Sequence, residues 1–207
     1  MARSTSSARW LQEHFADPYV QKAQQDNYRG RAVYKLQEIN EKNHIIRPGM
    51  TIIDLGAAPG SWCQYTTQQL AGQGKLIALD LLTIQPLDNV TFIQGDFQDE
   101  HILAQLIATI PENGVDLILS DMAPNFGGNR HVDILKTMSL SELVLDFTLQ
   151  FLKPNGTLLM KLFHGAGFDA LIQQIRTYFG TVMIRKPLAS RNRSRETYLL
   201  AKNYNLR

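Results

Sequence analysis

A chain of 207 residues with 44% hydrophobic content has room for one well-buried domain and not for two of ordinary size. It holds no apolar run long enough to span a bilayer, opens on a polar Met1-Ala2-Arg3-Ser4 tail unlike a signal peptide, and carries one cysteine, Cys63, which excludes a disulfide framework or cysteine-cluster metal site. The net charge of +2 hides a partition: eight basic against five acidic groups in residues 1–50, five against thirteen in 51–175, and eight against one in 176–207.

In chain order, residues 8–25 have the scattered apolar positions of a helix (Trp10, Leu11, Phe15, Tyr19, Val20). Residues 31–41 predict a clearer one, with Ala32, Val33, Leu36 and Ile39 on a stripe and Arg31 and Lys35 sharing another side. Arg47-Pro48-Gly49 breaks the chain before the first strand. From there strands at 51–55, 75–80, 90–94, 115–120, 156–163, 181–186 and 197–201 alternate with helices at 61–70, 100–110, 132–151 and 168–179, up to the last two strands. The expected fold is α/β and Rossmann-like, a mostly parallel seven-stranded sheet with helices on both faces. One domain spans 1–207, with residues 1–50 a basic helical extension and 51–207 the cofactor-binding core. A soluble cytoplasmic monomer, with no membrane contact and no obligate protein partner, is the expectation.

Residues 54–62, Asp-Leu-Gly-Ala-Ala-Pro-Gly-Ser-Trp, follow the first strand, and Asp80 closes the second, twenty residues after Gly60. In a parallel sheet that order holds a nucleoside: the glycines admit its backbone approach and the acid reaches a ribose diol. Gly-x-Gly-x-x-Gly is absent, and Pro59 removes an amide that a pyrophosphate would use, so a phosphate-free adenosine cofactor fits better; S-adenosylmethionine is the commonest. Asp96 follows Gly95 after the third strand, either as an acceptor for an adenine amino group or as a turn carboxylate near the next helix.

The fourth strand ends in Ser120-Asp121-Met122-Ala123-Pro124-Asn125, and the fifth contains Lys161 between apolar residues. An isolated ammonium is strongly disfavoured in a buried strand. Lys161 is therefore either a structural ion-pair member or a catalytic amine, and Asp121 supplies a carboxylate for both readings. The basic ends, with Arg29, Arg31 and Lys35 on one side and Arg185, Lys186, Arg191, Arg193 and Arg195 on the other, suit a polyphosphate backbone or a solvated face.

Asp-Leu-Gly-Ala-Ala-Pro-Gly-x-Trp, Ser-Asp-Met-Ala-Pro-Asn, a strand-borne lysine, and Ser-Arg-x-Arg-Ser-Arg-Glu-x-Tyr at 190–198 together resemble the FtsJ/RrmJ (RlmE) ribosomal RNA 2'-O-methyltransferases, over nearly the whole chain. The resemblance implies a catalytic tetrad of Lys35, Asp121, Lys161 and Glu196. It implies S-adenosyl-L-methionine contacts at Gly60, Trp62, Asp80, Asp96 and Asp121. It also implies methylation of a uridine ribose in 23S ribosomal RNA within the large ribosomal subunit. Lys161 would act as general base, Lys35 would oppose its charged form, and Asp121 and Glu196 would orient the amines. Tyr34, Trp10 and Tyr198 are candidate base-stacking aromatics, although such residues more often belong to the core. Departures from the family pattern are small: Ser61 where glycine is frequent, Phe126 after Asn125, and His164 and Ala166 after the catalytic strand.

No metal is implied, since His14, His44, His101, His131 and His164 are dispersed. Three rivals share part of the pattern. A methyltransferase acting on a small molecule or protein explains the cofactor half, a non-catalytic RNA-binding assembly factor explains the charge, and a methyltransferase of a different RNA explains both.

Overall fold

Apolar side chains alternate between two cores along the central strands, which is how a sheet covered on both faces reads in sequence. In β1 (Thr51–Leu55), Ile52 belongs to one core and Ile53 and Leu55 to the other; in β2 (Lys75–Asp80), Leu76 and Ala78 oppose Ile77 and Leu79. The computed structural model describes residues 16–191 and 194–205. Trp10, Leu11, Phe15, His14 and Arg193 therefore lie outside the described residues.

The remaining strands are β3 (Val90–Gln94), β4 (Val115–Ser120), β5 (Leu152–Phe163), β6 (Phe179–Arg185) and β7 (Glu196–Tyr204). They form one seven-stranded sheet in the order β3-β2-β1-β4-β5-β7-β6. β1 to β5 run parallel, and β7 pairs antiparallel with both β5 and β6. The order reverses between β1 and β4, so a crevice opens beyond their C-terminal ends.

One core lies beneath α4 (Glu100–Thr109), α5 (Arg130–Phe151) and α6 (Phe168–Arg176). The other lies beneath α1 (Pro18–Gln25), α2 (Val33–Asn43) and α3 (Ser61–Leu70). Val33, Leu36 and Ile39 of α2 are fully or almost fully buried against Ile52, Leu76 and Leu117. Asp17 caps α1 by accepting the Tyr19 amide at 3.0 Å and also pairs with Arg31 and, at 3.7 Å, with Arg191. One carboxylate thus ties the two basic ends together.

β1 to β4 and α3 match their predicted bounds, and the differences elsewhere have local causes. β5 begins at Leu152, four residues early, because the pairing with β4 shifts register between Val115 and Leu117 and carries the Lys153-Pro154-Asn155-Gly156 stretch inside the strand. β7 runs on to Tyr204 because Lys202 and Tyr204 pair with β6. α5 starts at Arg130 because the Asn129 side chain accepts the amides of His131 and Val132 at 3.2 and 3.4 Å. α2 begins two residues late, which leaves Arg31 in the preceding turn.

Candidate active site

Beyond the ends of β1, β2 and β4 lies a cavity of about 780 Å³, lined in part by Gly56, Asp80, Asp96, Asp121, Met122 and Lys161. That volume falls in the ~300–1,000 Å³ range of small-molecule sites. Gly56 sits at φ +80°, and a Cβ there would lie 2.8 Å from Met122 Cγ and its backbone nitrogen, so only glycine lets the two loops meet at the crevice floor. Asp80 is locked in place, since its Oδ2 accepts the Ala58 amide and its Oδ1 the Leu82 amide, each at 2.8 Å. Ionised carboxylate oxygens have about four lone-pair sites in all, which leaves room for hydroxyl donors. Asp96 Oδ1 accepts the Gln98 amide at 2.9 Å, while Asp99, not Asp96, caps α4. Three carboxylates on one wall disfavour a pyrophosphate and favour a cationic, phosphate-free ligand.

At the end of the crevice nearest β5 the four polar residues of the sequence motif converge. Lys161 Nζ lies 3.1 Å from Asp121 Oδ1 and donates to the Asp121 carbonyl oxygen, with a side chain only 9% exposed. Lys35 Nζ lies 2.6 Å from Glu196 Oε1, and Glu196 accepts a further bond from Ser190 Oγ at 2.9 Å. Tyr198 joins the two pairs: its hydroxyl donates to Asp121 Oδ1 at 2.6 Å and accepts from Lys35 Nζ at 3.3 Å. The sheet dictates this arrangement. Lys161 is the direct antiparallel partner of Tyr198, and Glu196, two residues before Tyr198, shares its face of β7.

Burial pushes the Asp121 carboxyl up, but the ammoniums of Lys161 and Lys35 and the Tyr198 hydroxyl outweigh it and hold Asp121 below the usual carboxylate range. Burial and the charges of Asp121 and Glu196 push the Tyr198 phenol well above its ordinary value, so it stays a neutral bridge. Asp54, one strand over in β1, is fully buried, and its carboxyl is pushed up to about 7. Burial is the main cause. Cys63 donates its thiol to Asp54 Oδ2 at 3.2 Å, while Oδ1 has no hydrogen-bond partner among the described residues.

Other candidates stand elsewhere. Gly60 is the left-handed residue preceding α3, at φ +101°. Trp62 is buried, with its indole N–H donating to the Ala32 carbonyl at 2.8 Å and its ring 5.9 Å from Tyr198. Neither is among the cavity-lining residues. Of the expected stacking aromatics, Tyr198 is wholly buried, with its hydroxyl between Asp121 and Lys35, and Tyr34 is buried with its hydroxyl on Asp26 at 2.7 Å; neither presents a face to a base. Several basic groups expected at a polyphosphate face serve the fold instead. Arg29 donates to the Gln85 and Pro86 carbonyls, Arg31 to Asp17 and the Ala189 carbonyl, and Arg185 to Asn43. Arg195 is exposed.

Of the two readings open to Tyr198, stacking face or core residue, the structure gives the core one and adds a bridging hydroxyl between Asp121 and Lys35. The i, i+2 spacing of Glu196 and Tyr198 in a strand was the available signal. Asp54 had no such signal, because a strand-end aspartate reads alike whether paired or orphaned.

A family model described as FtsJ-like methyltransferase matches residues 28–204. The chain is 57% identical over 206 residues, covering 100% of both chains, to ribosomal RNA large subunit methyltransferase E of Legionella pneumophila strain Corby. It is 55% identical to the protein of the same name from Hydrogenovibrio crunogenus, over 98% of each chain. Among solved structures, a Plasmodium falciparum protein described as a ribosomal RNA methyltransferase superposes with a TM-score of 0.78 at 30% identity, covering 87% of this chain and 100% of that one. The chain is therefore an enzyme, and it belongs to the FtsJ-like methyltransferase family.

Proposed function

We propose that the protein methylates the ribose 2'-oxygen of a uridine in 23S ribosomal RNA of the large ribosomal subunit, using S-adenosyl-L-methionine. The observation that carries this reading is the Lys161 amine, nearly buried on the cavity wall and coupled through Asp121 and Tyr198 to Lys35 and Glu196. The names of the relatives support the ribosomal substrate.

The cavity suits that cofactor. Asp80 would take the ribose hydroxyls, Asp96 the adenine amino group, and Asp121 the methionine ammonium, while Gly60 and Trp62 shape the loop behind it. When bound there, the cofactor supplies a methyl group on a positively charged sulfur, a carbon already open to attack. The task left to the protein is the acceptor. A ribose hydroxyl is a poor acid, so Lys161 accepts its proton once the amine has shed its own. Asp121 steadies the amine on one side. Lys35, reaching the same carboxylate through Tyr198, draws on its negative charge and opposes a second ammonium beside it. Glu196, held by Ser190 and Lys35, orients the acceptor. In the resting cluster two ammoniums and two carboxylates cancel; release of the Lys161 proton to solvent before attack leaves one net negative charge beside the hydroxyl that is to lose its proton.

Base catalysis of this kind contributes ~10²–10⁴-fold, and alignment of the two reactants supplies the remainder. The test is transfer of labelled methyl to large subunits from cells lacking the protein, followed by mapping of the ribose methyl. Parent protein is expected to modify a single uridine 2'-oxygen. Lys161→Ala is expected to lose transfer while still binding the cofactor; transfer to ribosomal protein, or near-normal turnover by the variant, would end this reading.

A further inference from the structure

A second hollow, of about 320 Å³, opens past the C-terminal end of β5 and is lined by Phe126, Met138, Phe163, His164 and Arg195 among others. We propose that it is a stacking subsite for an unpaired nucleobase flanking the acceptor nucleotide; this rests on the RNA reading above.

Four observations carry it. The hollow continues the active site: Phe163 lies two residues beyond Lys161 on the same face of β5, and the Lys161 ammonium is 6.0 Å from the Phe163 ring centre. A ribose held at Lys161 thus places its neighbouring nucleotide beside Phe163. The aromatic surface is also built and unspent. Phe126 meets Phe163 edge-on, with ring centres 5.4 Å apart at 83°, yet remains 53% exposed. Edge contact anchors the ring while leaving an aromatic face for a ligand.

The loop that carries Phe126 is fixed rather than left to chance. Asp133 accepts the amides of Gly127 and Gly128 at 2.8 and 3.1 Å, which commits its carboxylate to the protein. Finally, the lip is cationic. Arg195 is exposed at the edge, its carbonyl accepts the His164 amide at 3.2 Å, and the next residue is Glu196 of the tetrad. Aromatic faces beside a guanidinium are the recurring device for holding a single-stranded base and its phosphate.

Kinetics on unmethylated large subunits test this. Phe126→Ala should raise KM for subunits about tenfold, with a smaller fall in kcat and unchanged cofactor affinity by calorimetry, which also reports a folded crevice. Phe126→Trp should restore KM and Phe126→Leu should not, because leucine is apolar without a π face. An unchanged KM in Phe126→Ala, or rescue by Phe126→Leu equal to that by Phe126→Trp, overturns the stacking role. Photo-cross-linking from Phe126→benzoylphenylalanine should reach ribosomal RNA; a cross-link confined to a ribosomal protein assigns the hollow to a protein contact and overturns the proposal. Failure of the underlying function would look different, as a parent protein that leaves subunit ribose unmethylated, and would remove this proposal with it.

Discussion

Below the floor of the crevice, in β1, and at its mouth, just past β4, stand two carboxylates, Asp54 and Asp121, and they behave in opposite ways. Asp54 below the floor is fully buried, takes a hydrogen bond from the Cys63 thiol alone among the described residues, and its carboxyl climbs to about 7. Asp121 at the mouth is also held out of bulk water, yet two ammoniums and a phenol bring its carboxyl below the ordinary range. Desolvation acts on both; the difference lies in what faces them. A strand-end aspartate stays below the ordinary carboxylate range only where the fold delivers cations to it, and in this chain β5, which carries Lys161, and α2, which carries Lys35, make that delivery.

The largest expected effect comes from making the mouth resemble the floor. Lys161→Met should lower methyl transfer by ~10²–10⁴-fold and let the Asp121 carboxyl rise, since the nearest cation opposing burial is gone. Single-turnover rates and a carboxylate titration followed by NMR would check both; an Asp121 that titrates as in the parent would break the comparison. Lys161→Arg should not rescue turnover, because a guanidinium does not surrender its proton.

Asp54 gives the next effect, on stability. Its folded-state carboxyl binds a proton more tightly than the 3.8 of an ordinary aspartate, so the unfolded chain holds fewer protons between the two values. Stability therefore falls as pH rises from about 4 to about 7 and is flat above, by an amount on the order of 4 kcal/mol. Asp54→Asn should remove most of that slope and leave a more stable protein at pH 8, read from urea denaturation across pH. Asp121 tilts the other way: its contribution is present above the ordinary aspartate value and is lost as pH falls through its lowered one. Equal pH slopes in parent and Asp54→Asn would show the floor carboxylate to be solvated after all.

Smaller still is Tyr198→Phe, which keeps the ring beside Trp62 and deletes the hydroxyl between Asp121 and Lys35. Hydrogen bonds to charged groups are worth ~1.5–3 kcal/mol, so kcat should fall about ten- to a hundredfold while cofactor affinity holds. The smallest effect concerns Cys63, whose buried thiol is pushed up by desolvation and by the adjacent Asp54. Alkylation of the native protein should proceed only as fast as it unfolds, and prompt labelling at neutral pH would contradict the sealed floor.

Much of this was legible in the chain. Apolar runs separated by amphipathic and glycine- or proline-bearing stretches placed β1 to β4 at their observed bounds, and the glycine loop with its distal acid pointed to the crevice. The late strands were harder. Lys153-Pro154-Asn155-Gly156 has the composition of a turn, and only the shifted β4–β5 pairing shows that it continues β5. The charge count at the termini also overstated the free cationic surface, because composition does not distinguish a guanidinium in water from one, like that of Arg31, spent on Asp17 and a carbonyl.

What the amino-acid order determined by itself was what depends on neighbours in the chain: where the central strands lie, which faces are apolar, and which glycine-bearing loop follows the first strand. What the tertiary structure alone decided was the meaning of residues 35, 54, 121, 161, 196 and 198. Their partners, and the displaced titration of Asp54, Asp121 and Tyr198, depend on charges that sequence separation hides and on water that packing excludes. The physical reason is that Coulomb energy and desolvation are set by distance through space and by burial, and neither is a property of a residue's place in the chain.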